Sequence, residues 1–166
     1  MAPGRLALLQ TMPIFGALRD DALECLLEDA PTVSHARGEL FFGEGDDAQC
    51  MYVIEEGAVD VVKRWEGRDW TLHQLAAGDC FGEMALMDFF PRSASVRAAE
   101  DCRAIEISTA ALHRLYERDV EQFALIQMNI GREVCRRLRA TDELLFRARM
   151  GEALMPSAGE GLFRGH

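Results

Sequence analysis

Several things are scarce in this chain of 166 residues. Lys63 is the one lysine, every other basic residue is arginine, and 18 basic side chains face 28 acidic ones, for a formal net charge of −10. A balance that negative repels phosphodiester backbones and anionic lipid headgroups, so a DNA-binding or membrane-surface role is not expected. A whole-chain average still leaves room for one positive pocket that takes a small anion. The five cysteines (Cys25, Cys50, Cys80, Cys102, Cys135) are odd in number, widely spaced and never C-x-x-C. They suggest neither a disulfide framework nor a zinc or iron–sulfur site, and a reduced, cytosolic protein is the plain reading. The four histidines (His35, His73, His113, His166) lie far apart, with no H-x-H pair such as a metal-dependent β-barrel enzyme would need. No axial pair for haem stands out either, so neither a cofactor nor a catalytic role is expected. The apolar run at residues 6–9 is broken by Gln10, Thr11 and Pro13 before a signal-peptide core could form. No window approaches the ~20 apolar residues of a membrane span.

What is present falls into three zones. Residues 5–29 have helical spacing, with Leu8 and Leu9, a turn around Ile14 and Phe15, then Leu18, Leu23, Leu26 and Leu27. Asp20 and Asp21 suit the start of the second helix, where the dipole favours negative charge. Residues 32–107 switch to short β segments, at 40–42, 51–55, 58–63, 71–75, 95–99 and 102–107, punctuated by glycine. The tetrapeptide Trp65-Glu66-Gly67-Arg68 reads as a hairpin tip. Many short strands at this spacing predict a mainly β, α+β fold whose strands close into a jelly-roll barrel, a double-stranded β-helix, with helices at both ends.

Helical spacing returns from Ser108, which with Thr109 can cap a short helix through Leu115. A long helix then runs from about Asp119 to Arg149 without proline. Val120, Phe123, Gln127, Ile130, Val134, Leu138, Thr141 and Leu145 recur at steps of three and four, giving one stripe. At roughly 30 residues, or ~45 Å, this helix is longer than such a barrel needs, which points to pairing with a second copy as a homodimer. Residues 150–166 mix glycine, serine and proline and read as a flexible tail.

The chemistry is concentrated in residues 81–96, Phe-Gly-Glu-Met-Ala-Leu-Met-Asp-Phe-Phe-Pro-Arg-Ser-Ala-Ser-Val. Gly82 allows close backbone approach to a ligand after a strand. Glu83 and the residues behind it can start a short helix whose free N–H groups suit an anion. The Glu83 carboxylate would repel a bare phosphate, but it can accept hydrogen bonds from a sugar hydroxyl. Arg92 returns to the same place after a proline-set turn and can grip phosphate with two donors. Ser93 adds a hydroxyl and another N–H. A carboxylate for a hydroxyl, with an arginine for a phosphate, describes a ribose-phosphate receptor.

This segment closely resembles the phosphate-binding cassette of cyclic nucleotide-binding domains, the family of the bacterial cyclic-AMP receptor protein and the protein kinase A regulatory subunits. Residues 38–46 (GELFFGEGD), 51–59 (MYVIEEGAV) and 75–79 (LAAGD) resemble the family's early strands and its approach to the cassette, and 135–142 (CRRLRATD) its C-terminal helix. The likeness covers residues 5–149, read as one domain. It implies that Glu83 binds the ribose 2′-hydroxyl with help from the backbone of Gly82 and Met84. It implies that Arg92 neutralises the phosphate, with Ala85, Ser93 and Ala94 completing the grip. Val61 and Leu72 would lie against the base, and Arg137, Leu138 and Thr141 would meet it from the closing helix. Ser93, directly after the arginine, favours cyclic AMP and leaves cyclic GMP open, with a cyclic dinucleotide a more distant option. Only 17 residues follow Arg149, too few for the three-helix DNA-binding module of the bacterial receptor. The expectation is a stand-alone sensor that shifts its C-terminal helix against an unknown effector protein in trans. The alternative is a domain that keeps the fold as a non-binding scaffold or dimerisation module.

Overall fold

Glycines and polar breaks cut the middle of the chain into eight short strands, and the computed structural model, which describes residues 3–150, pairs them into two antiparallel sheets. The strands are β1 (Thr32–His35), β2 (Leu40–Phe42), β3 (Cys50–Glu56), β4 (Ala58–Trp65), β5 (Arg68–Ala76), β6 (Cys80–Phe81), β7 (Ser95–Ala98) and β8 (Cys102–Ser108). One sheet has the order β1-β8-β3-β6 and the other β2-β7-β4-β5. Among the described residues each ladder stays within its own sheet. The fold is therefore mixed helix and antiparallel sheet, and the closed barrel expected from strand spacing does not appear as one continuous ladder.

Alternation along the strands decides what each face buries. Tyr52 and Ile54 of β3, Phe81 of β6, and Cys102 and Ala104 of β8 form one buried cluster with Val59 of β4 and Val96 and Ala98 of β7. Both sheets contribute to it, so it is the core between them. The intervening residues of β3 and β8 face the other way, and the cross-strand pairs Met51–Ile107 and Val53–Ile105 are completely buried. That second face requires a helical cover. Fully buried Leu9, Leu23, Leu26, Leu115, Ile126 and Ile130 come from α1 (Pro3–Thr11), α2 (Asp20–Leu27), α4 (Thr109–Arg118) and α5 (Val120–Arg149).

Local chemistry explains most of the element ends. Ser108 Oγ accepts from Ala111 N at 3.2 Å and caps α4. Asp119 breaks α4 from α5 and then caps α5, accepting from Glu121 N at 3.1 Å and Gln122 N at 3.0 Å. The Gln122 amide and then Arg19 hold the Asp119 carboxyl below its usual range. The β4–β5 hairpin closes through Glu66 and Gly67, both with positive φ (50° and 76°), as a two-residue turn matched to strand twist requires. β5 is the outer strand of its sheet. Its register slips opposite the Val61/Val62 step, so that Leu72 is the extra residue between His73, which pairs with Val61, and Thr71, which pairs with Val62.

Two compact units divide the chain, 1–131 and 132–166. In the first, the buried residues of α5 are Gln122, Ile126, Asn129 and Ile130, whereas Val120 is more than half exposed. Of the expected stripe, Ile130 is fully buried and Phe123 and Gln127 are half-buried, whereas Val120 is not covered, and Gln122, Ile126 and Asn129 are buried beside it. Gln122 Oε1 accepts from Arg19 N at 2.8 Å and Asn129 Nδ2 donates to Gly16 O at 2.8 Å, so two amides join the buried Ile126 and Ile130 in holding α5 in place. In the second unit, residues 132–149 are helical, with Glu133 paired to Arg136 and Arg137 and Glu143 paired to Arg147. An acidic residue three or four positions before an arginine is the favourable order on a helix. Residues 151–166, most of the expected tail, lie outside the described residues.

Asn129→Ala leaves the Gly16 carbonyl without its amide donor and should lower stability by about 1–3 kcal/mol in urea unfolding; an unchanged midpoint would show that this contact does not anchor α5. Burial, and to a lesser extent Glu100, pushes the Cys102 thiol from 9.0 to about 11. The unfolded chain releases this proton first, so stability falls as pH rises between those values. Cys102→Ala should flatten that fall in unfolding midpoints taken from pH 8 to 11.

Candidate functional site

Arg92 sits in the turn between α3 (Met84–Asp88) and β7, and it is only 5% exposed. Its backbone is bracketed by the loop after β2, with Arg92 N donating to Asp46 O at 2.9 Å and Gly45 N donating to Arg92 O at 2.9 Å. The guanidinium turns inward. Nη1 donates to Gly82 O at 3.0 Å and Nη2 to Cys50 O at 2.8 Å, with Cys50 Sγ at 3.4 Å from Nη2. Its central carbon lies 4.0 Å from the centroid of the Phe42 ring and 5.9 Å from that of Tyr52. Burial, then the Cys50 thiol 3.3 Å away, pushes the Tyr52 hydroxyl well above its usual range.

A buried cation needs acceptors on most of its N–H groups. Here two carbonyls and a ring face meet part of that need, and Nε remains a buried donor with no hydrogen-bond partner among the described residues. Glu83, one residue beyond the carbonyl that holds Nη1, is 1% exposed. A buried cation with an unmet donor and a buried carboxylate on one short segment fit a ligand that offers both phosphate and hydroxyl. Gly82 makes the arrangement possible. Its φ is +80°, and a Cβ there would lie 2.5 Å from Arg92 Nη1.

The remaining expected site residues are distributed as follows. Met84 and Ala85 open α3, with Met84 44% exposed. Ser93 is exposed and Ala94 buried. Val61 is half-buried against the core between the sheets, whereas Leu72, displaced by the bulge, is 56% exposed. Arg137, Leu138 and Thr141 belong to the second compact unit. There Arg137 Nε donates to Glu133 Oε1 at 3.0 Å, and Thr141 Oγ1 donates to Arg137 O at 3.0 Å. Sequence reasoning missed Phe42, Cys50 and Tyr52 around the arginine. Alternation along β3 puts residues 50, 52 and 54 on one face, but nothing local to Arg92 announces that it reaches this strand. An apolar cavity of about 540 Å³ also adjoins the cassette, lined by Leu86 and Phe89, by Leu112 and Tyr116 of α4 and by Phe123 of α5, among others. The described residues hold no group of three or more His, Cys, Asp or Glu side chains arranged for a metal ion, and no helix long and apolar enough to cross a membrane.

Two antiparallel sheets carrying a glycine–glutamate step and a returning buried arginine define a nucleotide-binding regulatory domain. The family described as "Cyclic nucleotide-binding domain" matches residues 32–119, and the chain belongs to it. The chain is 30% identical over 131 residues to the "Cyclic AMP receptor protein" of Thermus thermophilus, covering 78% of this chain and 59% of that protein. It is 32% identical over 117 residues to the "cAMP-dependent protein kinase regulatory subunit" of Eremothecium gossypii, covering 70% of this chain and 25% of that one. The solved structure of a cyclic nucleotide-binding domain from Methylobacillus flagellatus shares the fold, with TM-score 0.75 and 23% identity over 86% of this chain and 82% of the other. The chain thus spans between about a quarter and three fifths of the curated relatives it matches. These relatives are named as receptors and regulatory subunits, not as enzymes.

Gly82→Ala forces an alanine into positive φ and into the guanidinium, and should cost about 1–3 kcal/mol of stability by urea unfolding. Full stability in that variant would mean that Arg92 does not occupy this position.

Proposed function

We propose that this chain is a receptor for a cyclic mononucleotide, cyclic AMP first, and that it transmits occupancy to a separate partner protein. The observation that carries the reading is the buried Arg92 guanidinium with an unmet Nε donor, in a cassette that also buries Glu83. In this reading the cyclic phosphate adds the missing acceptor, and the N–H groups of Ala85 and Ser93, with Ala94 behind them, complete the grip. Glu83 takes the ribose 2′-hydroxyl, supported by the backbone of Gly82 and Met84. Val61 supplies an apolar wall for the base, and the exposure of Leu72 leaves that residue free to fold over it. Roles for Arg137, Leu138 and Thr141 rest on family resemblance alone, the homodimer rests on the length of the long helix, and the cytoplasmic location on the cysteine pattern. We read the two sheets as halves of a jelly roll, a reading that the orders β1-β8-β3-β6 and β2-β7-β4-β5 support, and the domain as 5–149 by family resemblance.

Transmission follows as a population shift. A ligand biases two states only by its differential affinity for them, and here that difference would arise where phosphate competes for Arg92. The cavity beside Leu86 and Phe89 gives the helices after Ile107 room to repack when the cassette moves.

Calorimetric titration with cyclic AMP, cyclic GMP and cyclic di-GMP side by side tests the reading. Cyclic AMP should bind best, and Arg92→Ala should lose about 2 kcal/mol or more, roughly 30-fold in affinity. Absence of binding to the wild type, or equal binding to the variant, would overturn it.

A further inference from the structure

A guanidinium held only by in-plane hydrogen bonds can still tilt out of its plane, and its remaining donors then sweep through a range of directions. In this chain Gly82 O and Cys50 O accept from Nη1 and Nη2, while no hydrogen bond among the described residues holds the direction of Nε. The Phe42 ring, 4.0 Å from the guanidinium carbon, resists that tilt. Phe42 is itself immobilised, with its ring centroid 6.0 Å from that of Tyr52 and 5.9 Å from that of Phe81. It also leads directly into the loop whose Gly45 and Asp46 bracket the Arg92 backbone. One stretch of five residues therefore holds the arginine twice, by its backbone and by the face of its side chain.

We propose that Phe42 is a positioning residue for the Arg92 grip, setting phosphate affinity by fixing the orientation of the Nε donor; this rests on the cyclic-nucleotide reading above. An aliphatic side chain at 42 would fill similar space without offering a π face to the cation. Phe42→Leu should therefore weaken cyclic AMP binding about tenfold, and Phe42→Tyr should stay within about twofold of wild type.

A second readout needs no ligand. In nitrogen–proton spectra of the free chain, the Arg92 Nε–H resonance, assigned by its disappearance in Arg92→Lys, should be shielded by the ring. It should move downfield in Phe42→Leu and stay near its wild-type position in Phe42→Tyr, with backbone amides of the helices α1 and α2 unmoved in both. An unmoved resonance in Phe42→Leu overturns the proposal, and so does wild-type affinity in that variant once the resonance has moved. Should the wild type bind no cyclic nucleotide, the function proposed above falls, and with it Phe42's part in phosphate affinity; the spectra then report only the stacking geometry.

Discussion

Taking a guanidinium out of water costs several kcal/mol unless carbonyls and π density replace the water around it. Arg92 imposes that requirement on an otherwise ordinary two-sheet core, and much of the surrounding architecture answers to it. The carbonyl of Gly82 is available because residue 82 takes a backbone conformation that a side chain would block. The carbonyl of Cys50 is available because the β3–β6 pairing covers only Tyr52–Phe81 and Val53–Cys80 and stops short of it. The loop after β2 is tied to the arginine backbone on both sides. Residues 45–50 and the cassette are remote in sequence, so the cation acts as a fastener between them as well as the anchor of the cassette.

Much of this was legible in the sequence, and for identifiable reasons. The cassette from residue 81 to 96 could be read because its chemistry is local: a glycine, a carboxylate, a proline-set return and an arginine within one turn of chain. Helix starts at Asp20 and Ser108 and the hairpin tip at Glu66-Gly67 were legible because capping and turn residues act over a few positions. What escaped notice were interactions set by register across the sheets. Phe42 and Cys50 lie 50 and 42 residues from Arg92, and no local pattern announces either. The two-residue β6 was too short to give a period. The buried face of α5 was legible at Ile130 but not at Gln122 and Asn129, because apolar spacing passes over amides that serve backbone partners.

Net charge takes on a different meaning beside the structure. A surplus of ten negative charges keeps polyanions away from the surface. The one cation of the cassette is withdrawn from that surface and dressed by neutral groups, so it neither neutralises the exterior nor attracts bulk anions indiscriminately. In the proposed reading, this concealment is what favours a single small phosphate over a polyanion.

The bulge at Leu72 has a further consequence. β5 is the outermost strand of its sheet, and its nine residues are almost all exposed. A long, regular outer strand offers a row of unpaired backbone groups on which another chain can add, the usual start of ribbon-like aggregation. The extra residue puts the spacing of those groups out of phase midway along, and Arg68, Asp69 and Gln74 place polar side chains on either side of the break. The irregularity that displaces Leu72 thereby also makes this edge a poorer template for an added strand.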